Sequence, residues 1–354
     1  MSASDAILLV SFGGPDKPED IMPFLEIVTR GRGIPRERLA GVAEHYRHIG
    51  GRSPINEITA MQTELLRKAL EKAGDRRPVY LGQRNWHPFL EEALAGMRAD
   101  GVRRATAFIT APYRSEASLE RYVSAVEAAR EKVGAGAPAV EFVGPWFDHP
   151  SFIDAIVSRV REKEFPAGAE WVFTAHSIPC VMAKESAYVS ELRETAALVA
   201  AKLGLKAWRL AYTSRSGDPR SAWLEPDVSK VIAADGARGV RDLALIPIGF
   251  VADHVEVLYD LDVEAKAAAD KAGVRLHRAE TVGVHPAFIA MIADLVRPGA
   301  PAGGPLSVSS ASTRFRDGRV EEKAGEKSSV CYCFPGESDP PCRRPAQSLR
   351  RSTT

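Results

Sequence analysis

Eight short runs of apolar and β-branched residues recur along the chain: AILLVSF (6–12), PVYLG (78–82), ATAFITAP (105–112), AVEFVGP (139–145), EWVFTAH (170–176), AWRLAYT (207–213), DLALIPIGF (242–250) and VRLHRAET (274–281). Between them lie stretches such as ITAMQTELLRKALEKAG and AYVSELRETAALVAAKLG, whose apolar residues return at intervals of three and four. The first pattern predicts buried strands and the second amphipathic helices. Their alternation predicts an α/β fold with parallel sheets and helices on both faces. In such folds ligands sit beyond the carboxyl ends of the strands.

The two halves echo one another. AFITAPYRSEASLERY (107–122) aligns without a gap on ALIPIGFVADHVEVLY (244–259), and VSFGGP (10–15) on TAHSIP (174–179), which sets Phe12 opposite His176. Two similar Rossmann-like lobes facing a cleft are expected, spanning 1–147 and 148–297. From about Arg297 the texture changes. The segment RPGAPAGGPLSVSSASTRFRDGRVEEKAGEKSS is rich in Gly, Pro and Ser and has no helical period, as in a linker or tail (298–354).

Charge and cysteine content narrow the classes. The chain has 354 residues, 47 basic and 46 acidic side chains and a net charge of +1, which gives no reason to expect nucleic acid or an anionic membrane surface. MSASDAILLVSFGG lacks the basic flank and long apolar stretch of a signal peptide. No run approaches the roughly 18 apolar residues of a span. A cytoplasmic protein is expected, with peripheral membrane contact and oligomeric state left open. Four cysteines are too few for a disulfide scaffold, and Cys331, Cys333 and Cys342 crowd into CYCFPGESDPPC, which in a reducing compartment suggests metal.

Candidate chemistry gathers at strand ends. Glu256, Asp260 and Glu264 stand four apart in FVADHVEVLYDLDVEAK, just after Asp253 and His254. On a regular helix these three share one face, and like charges so spaced cost roughly 0.2–0.5 kcal/mol per pair. A solvated acidic face is the plain alternative. His176 closes an apolar strand, where imidazole suits proton transfer or a divalent metal as well as it suits a packed core. Histidine with carboxylates makes a plausible ligand set for a first-row divalent ion. The pair of glycines in VSFGGPDKPEDI allows close backbone approach, but no G-x-G-x-x-G, Walker lysine or H-E-x-x-H is present. Arg30, Arg32, Arg36 and Arg38 in TRGRGIPRERL, with Tyr46 and Ser53 in HYRHIGGRSPIN, suit carboxylates on a substrate.

Taken together, FVADHVEVLYDLDVEAK, TAHSIP, LLVSFGGP, GGRSPIN and AWLEPDV resemble, in order, segments of the ferrochelatase family over roughly residues 6–297. The resemblance implies a chelatase-like fold and insertion of Fe2+ into a porphyrin, protoporphyrin IX or coproporphyrin III, with no organic cofactor. It implies His176 and Glu256 as the catalytic pair and His176, Glu256, Asp260 and Glu264 as the residues that meet the metal. Phe12 then lies across the macrocycle, where some relatives have tyrosine; phenylalanine offers no ligand atom. Arg30, Tyr46 and Ser53 fall in segments that contact propionates or anions. The cysteines resemble relatives holding a 2Fe-2S cluster through Cys180, Cys331, Cys333 and Cys342, although the last gap is longer than in several of them. Structural zinc and an unliganded tail are the alternatives for these thiols. A cobalt chelatase and a non-catalytic haem- or iron-binding protein are the rival functions.

Overall fold

All eight apolar runs become strands: β1 (Ala6–Ser11), β2 (Val79–Gln83), β3 (Arg104–Ile109), β4 (Ala139–Phe142), β5 (Glu170–His176), β6 (Arg209–Thr213), β7 (Asp242–Ile246) and β8 (Arg275–Arg278). The computed structural model describes residues 4–216 and 221–298. The tail from 299, with Cys331, Cys333 and Cys342, lies outside them. The strands pair only in parallel, in two four-stranded sheets ordered β2-β1-β3-β4 and β6-β5-β7-β8. Each position in one sheet has its counterpart in the other, β1 with β5 and β3 with β7, which is the pairing of the internal echo. In both sheets the chain moves one way from the central strand and then returns to its other side, so each sheet has a crevice at its carboxyl end.

Alternation along the strands decides which core each residue joins, because successive side chains point to opposite faces. Leu8 and Val10 of β1 meet Ala107 and Ile109 of β3 under the helices Leu90–Ala99 and Leu119–Val133. Ile7, Leu9 and Phe108 face the other way. In the second sheet Val172, Leu243 and Leu245 pack on the helix Val228–Ala237 and the segment that follows β7. Phe173, Ala175 and Ile246 face away from it and enter the same apolar cluster as Ile7 and Phe108. Both faces of each sheet are covered, as parallel sheets require.

Aromatic rings hold this shared cluster together. Trp146 stacks on Phe108 with centroids 5.2 Å apart, meets Phe152 edge-on at 4.9 Å and Phe288 at 5.6 Å. Burial of each large apolar side chain is worth about 1.5–3 kcal/mol. Polar ties run alongside: Tyr113 donates its hydroxyl to Ile248 O (3.0 Å), Gln62 Nε2 to Gly283 O (2.8 Å) and Arg77 to Val296 O (2.7 Å). The two sheets are thereby one mechanical unit.

The end of β5 is held by a close backbone crossing. Gly249, after β7, donates its N–H to Thr174 O at 3.0 Å. A Cβ built there would stand 2.5 Å from Ala175 Cα, which is main chain and cannot rotate aside. Gly249→Ala is expected to destabilise the fold by about 1–3 kcal/mol, the usual cost of overpacking. It should also displace His176, the next residue, and lower activity more than the stability loss explains. Denaturant midpoints and turnover of the folded fraction check this; a variant of unchanged stability would show that the strands separate freely here.

Candidate active site

His176 ends β5 and Glu256 lies in the first turn of the short helix Val255–Leu258, which begins soon after β7. β5 and β7 are neighbours in the sheet, so their ends bring the two side chains together: His176 Nε2 is 3.4 Å from Glu256 Oε1. The other ring nitrogen, Nδ1, is hydrogen-bonded to Ser177 O. A carbonyl only accepts, so Nδ1 carries a hydrogen, and in the neutral ring Nε2 is the basic nitrogen. Tyr188 steadies the strand end by donating its hydroxyl to His176 O at 2.9 Å.

The electrostatics of the pair are unequal. Burial by itself pushes the His176 pKa down, but the Glu256 carboxylate more than offsets this, helped by the Ser177 carbonyl and Asp260, and raises it to about 8. Burial pushes Glu256 up; His176, and more weakly His254, outweigh it and bring the carboxyl down to about 2. His254 orients the pair. It caps the helix by accepting from Glu256 N–H through Nδ1 at 3.1 Å, and its ring meets Phe250 edge-on at 4.8 Å. An accepting Nδ1 requires an unprotonated nitrogen, in keeping with burial lowering the His254 pKa. Asp253 lies beside Arg278 at 3.6 Å.

The acidic run is not the regular helix that its spacing suggests. After Leu258 the chain takes a π-helical turn, Asp260–Ala265, and resumes as an α-helix at Lys266. Tyr259 O accepts from Val263 N at 3.0 Å and from Glu264 N at 2.9 Å, so the register changes at this residue. Tyr259 is itself clamped by His45, with rings stacked 3.8 Å apart. The wider turn separates the environments of the acids. Glu256 is half-buried, Asp260 is buried and Glu264 is exposed. Burial and the charge of Glu256 raise the Asp260 pKa to about 7, against a lowering by the Ser214 hydroxyl that bonds it. Burial, then Asp227, raises that of Glu264. π-Turns of this kind are rare and recur at functional sites.

The crevice of the first sheet supplies the opposite wall. Phe12 follows β1, and its carbonyl accepts from Asn85 N (3.0 Å) and Nδ2 (3.1 Å). Arg84, at the end of β2, lies between rings, 4.9 Å from the Phe12 centroid and 5.0 Å from that of Tyr122. The two glycine-bearing motifs lock together: Gly14 N donates to Asn56 Oδ1 (3.0 Å), and Ser53 N donates to Pro15 O (2.8 Å). A Cβ on Gly14 would meet Ser53 Cβ at 2.7 Å, so only glycine fits there. Ser53 and Tyr46 are buried, and burial followed by the Glu256 charge pushes the Tyr46 hydroxyl far up its scale. Val255, at the start of the acidic helix, packs on the same apolar cluster as Tyr46. Arg30 is on the exposed turn after the helix Ile21–Val28.

His176, Glu256 and Asp260 are thus gathered at one sheet end, with Phe12, Tyr46 and Ser53 on the other side, and Glu264 and Arg30 toward solvent. Cys180 begins the short helix Cys180–Lys184, half-buried, with its N–H on Ala222 O. Among the described residues no three His, Cys, Asp or Glu side chains are gathered so as to hold a metal ion. Two contributors escaped the sequence reading, Arg84 and Ser214. Both follow strands that flank the central ones, and the strand-end rule applied to β2 and β6 would have marked them.

Comparison with known proteins bears on this arrangement. Residues 4–300 match the model of the ferrochelatase family. The chain is 46% identical over 299 residues to a ferrochelatase of Rhodopirellula baltica, covering 83% of this chain and 85% of the relative. It is 42% identical over 347 residues to the coproporphyrin III ferrochelatase of Mycolicibacterium paratuberculosis, covering 96% of this chain and 97% of the relative. Among solved structures, the sirohydrochlorin chelatase SirB of Bacillus subtilis subspecies spizizenii, in complex with cobalt, superposes with a TM-score of 0.51 at 11% identity, over 83% of this chain and 94% of that one. That likeness concerns the fold alone.

The charge balance of the pair is measurable. His176, with its pKa raised, contributes stability that is complete below about pH 6.5 and lost as pH rises through about 8. The Glu256 side of the pair is complete above about pH 4.5 and lost as pH falls through about 2. In Glu256→Gln only the Ser177 carbonyl and Asp260 are left to oppose burial, so the His176 pKa should fall well below that of the unsubstituted protein. Ring-proton NMR of His176 in both proteins reads this directly; an unmoved titration would mean that Glu256 does not set its charge.

Proposed function

This chain belongs to the ferrochelatase family and is a porphyrin metal chelatase, and on that premise we propose that it inserts Fe2+ into coproporphyrin III to form coprohaem in haem biosynthesis. The observation that carries the mechanism is the His176–Glu256 pair, with its basic nitrogen Nε2 beside a carboxylate at 3.4 Å. A free porphyrin carries two pyrrole protons that must leave as the metal arrives. In its unprotonated form His176 Nε2 takes one of the two protons and passes it to solvent before taking the second; Glu256 stabilises the imidazolium formed each time, and His254 fixes the carboxylate through its helix cap. A crevice that favours a distorted macrocycle, with its lone pairs exposed, binds the transition state more tightly than the flat ring.

The remaining residues divide the work. Phe12, with Arg84 against its ring, packs on the face of the macrocycle away from His176. Tyr46, Ser53 and Arg30 receive its carboxylates. Four acidic side chains suit coproporphyrin III to an arginine-rich rim, and the Mycolicibacterium paratuberculosis relative carries that substrate in its name. Glu264 and Asp260 pass hydrated iron inward to Glu256 and His176, in the order of their burial. The lobes divide at 147–148, with the tail from 298.

The tail belongs to this reading. The match to the Mycolicibacterium paratuberculosis relative, over 96% of the chain, runs well into it. Cys180 is half-buried at the start of a short helix, and Cys331, Cys333 and Cys342 lie outside the described residues. These four would hold a 2Fe-2S cluster, which supplies redox chemistry and a cross-link from tail to body. No step of metal insertion uses it. Anaerobically purified protein is expected to be brown and Cys333→Ser to lose the charge-transfer bands; colourless, iron-free protein would sink the cluster.

Activity is tested by following the Soret band with Fe2+ and either porphyrin. Turnover should favour coproporphyrin III over protoporphyrin IX. His176→Ala should abolish insertion while porphyrin affinity stays within about a few fold, since a proton acceptor acts in the transition state. Asp260→Asn and Glu264→Gln should raise the KM for iron and leave that for porphyrin nearly unchanged. Stoichiometric binding without turnover would make the protein a carrier, and normal turnover by His176→Ala would make that residue a packing histidine.

A further inference from the structure

Ser214 has φ +62°, and it is the residue other than glycine with positive φ among those described. L-residues avoid this left-handed conformation because Cβ crowds the carbonyl, and where a serine keeps it the surrounding structure must enforce it. Ser214 follows Thr213, the residue that ends β6 and pairs with His176 in the sheet. Ser177 N–H donates to Thr213 O at 2.8 Å, so this strand end and the histidine are fixed to one another. Had β6 continued extended, the Ser214 side chain would follow the alternation of the strand. The left-handed turn instead brings its hydroxyl onto Asp260 Oδ2, and Ser214 Oγ also lies 3.1 Å from Thr213 Oγ1. Ser214 Oγ is the donor to Asp260 Oδ2, which accepts in the carboxylate form.

We propose that Ser214 is a positioning residue for metal delivery: it ties the Asp260 carboxylate to the sheet end that carries His176. The proposal rests on the reading of Asp260 as a stage on the iron route. Asp260 opens the π-turn, directly after Tyr259, the residue where the helix changes register. Its backbone therefore belongs to a segment whose register differs from that of Glu256. The serine supplies what the helix does not, a fixed distance between the second acid and the histidine. A buried carboxylate free to change rotamer would present its oxygens to an incoming cation only part of the time. The hydroxyl removes that freedom, and the strained backbone is what aims it.

Steady-state kinetics of the full-length protein test this with Ser214→Gly, Asp260→Asn and the double variant. Glycine removes the hydroxyl and relieves the backbone, so the thermal midpoint should hold or rise. The KM for Fe2+ should increase roughly three- to tenfold, the weight of one ordinary hydrogen bond, while the KM for porphyrin stays put. In the Asp260→Asn background, Ser214→Gly should add nothing further. Ser214→Asn, which tolerates the same backbone and keeps a donor, should recover part of the loss. The proposal is overturned if Asp260→Asn raises the iron KM and Ser214→Gly does not, or if Ser214→Gly has the same effect in both backgrounds. If Asp260→Asn itself leaves the iron KM unchanged, the iron route falls, and the role of Ser214 with it.

Discussion

A carboxylate placed against a half-buried imidazole is the interaction on which this molecule turns. Burial and charge pull the His176 pKa in opposite directions, and the charge wins because Glu256 is 3.4 Å away and is itself held ionised by the histidine. Neither side chain has this character alone. A half-buried histidine without the acid would be a poorer proton acceptor near neutral pH, and a half-buried glutamate without the histidine would protonate more readily. Everything nearby preserves the separation between them: the Ser177 carbonyl fixes the tautomer, Tyr188 the strand end, and His254 the first turn of the helix.

The scaffold explains how residues 80 positions apart in the chain arrive together. Parallel strands put their carboxyl ends on one edge, and the switch in chain direction leaves a crevice at the central pair. The same architecture is used twice. In the first half the crevice ends in Phe12 and is lined by Arg84 and Tyr122; in the second it ends in His176 and is lined by Glu256 and Asp260. Different residues at equivalent strand ends give one wall that is aromatic and one that can take protons. The glycines mark where backbone must pass close to backbone or side chain, Gly249 over Ala175 and Gly14 over Ser53.

Much of this was legible in the residues. Apolar runs located every strand, since parallel strands buried on both faces carry continuous hydrophobic sequence and leave little ambiguity. The internal echo anticipated the matching strand orders, and strand-end logic with the family resemblance pointed to His176 and Glu256. The π-turn at Asp260–Ala265 was not legible, because a period near four suits either kind of helix and the choice is made by hydrogen bonds to Tyr259 and by the stacking of His45. Ser214 was hidden for a related reason. A serine after a strand reads as an ordinary turn, and only the coordinates reveal its sign of φ. Arg84 stands in no motif; its place between two rings depends on a contact with Phe12 72 positions earlier in the chain.

Trp146 decides how a broad, flat molecule can come and go. Its ring joins Phe108 of the first sheet to Phe152 and Phe288, within a cluster that also contains Phe173 and Ile246 of the second. Swinging the sheets apart would wet that cluster, at about 25 cal/mol for each Å² exposed. Hinge motion, the usual answer in two-sheet proteins, is therefore closed to this one. Traffic has to pass at the rim, through elements that open at little expense because they bury little. The helix Cys180–Lys184 has no buried residue and starts four positions after the histidine. Entry and release then fall to that rim, while the apolar cluster keeps the strand ends of the catalytic pair in place.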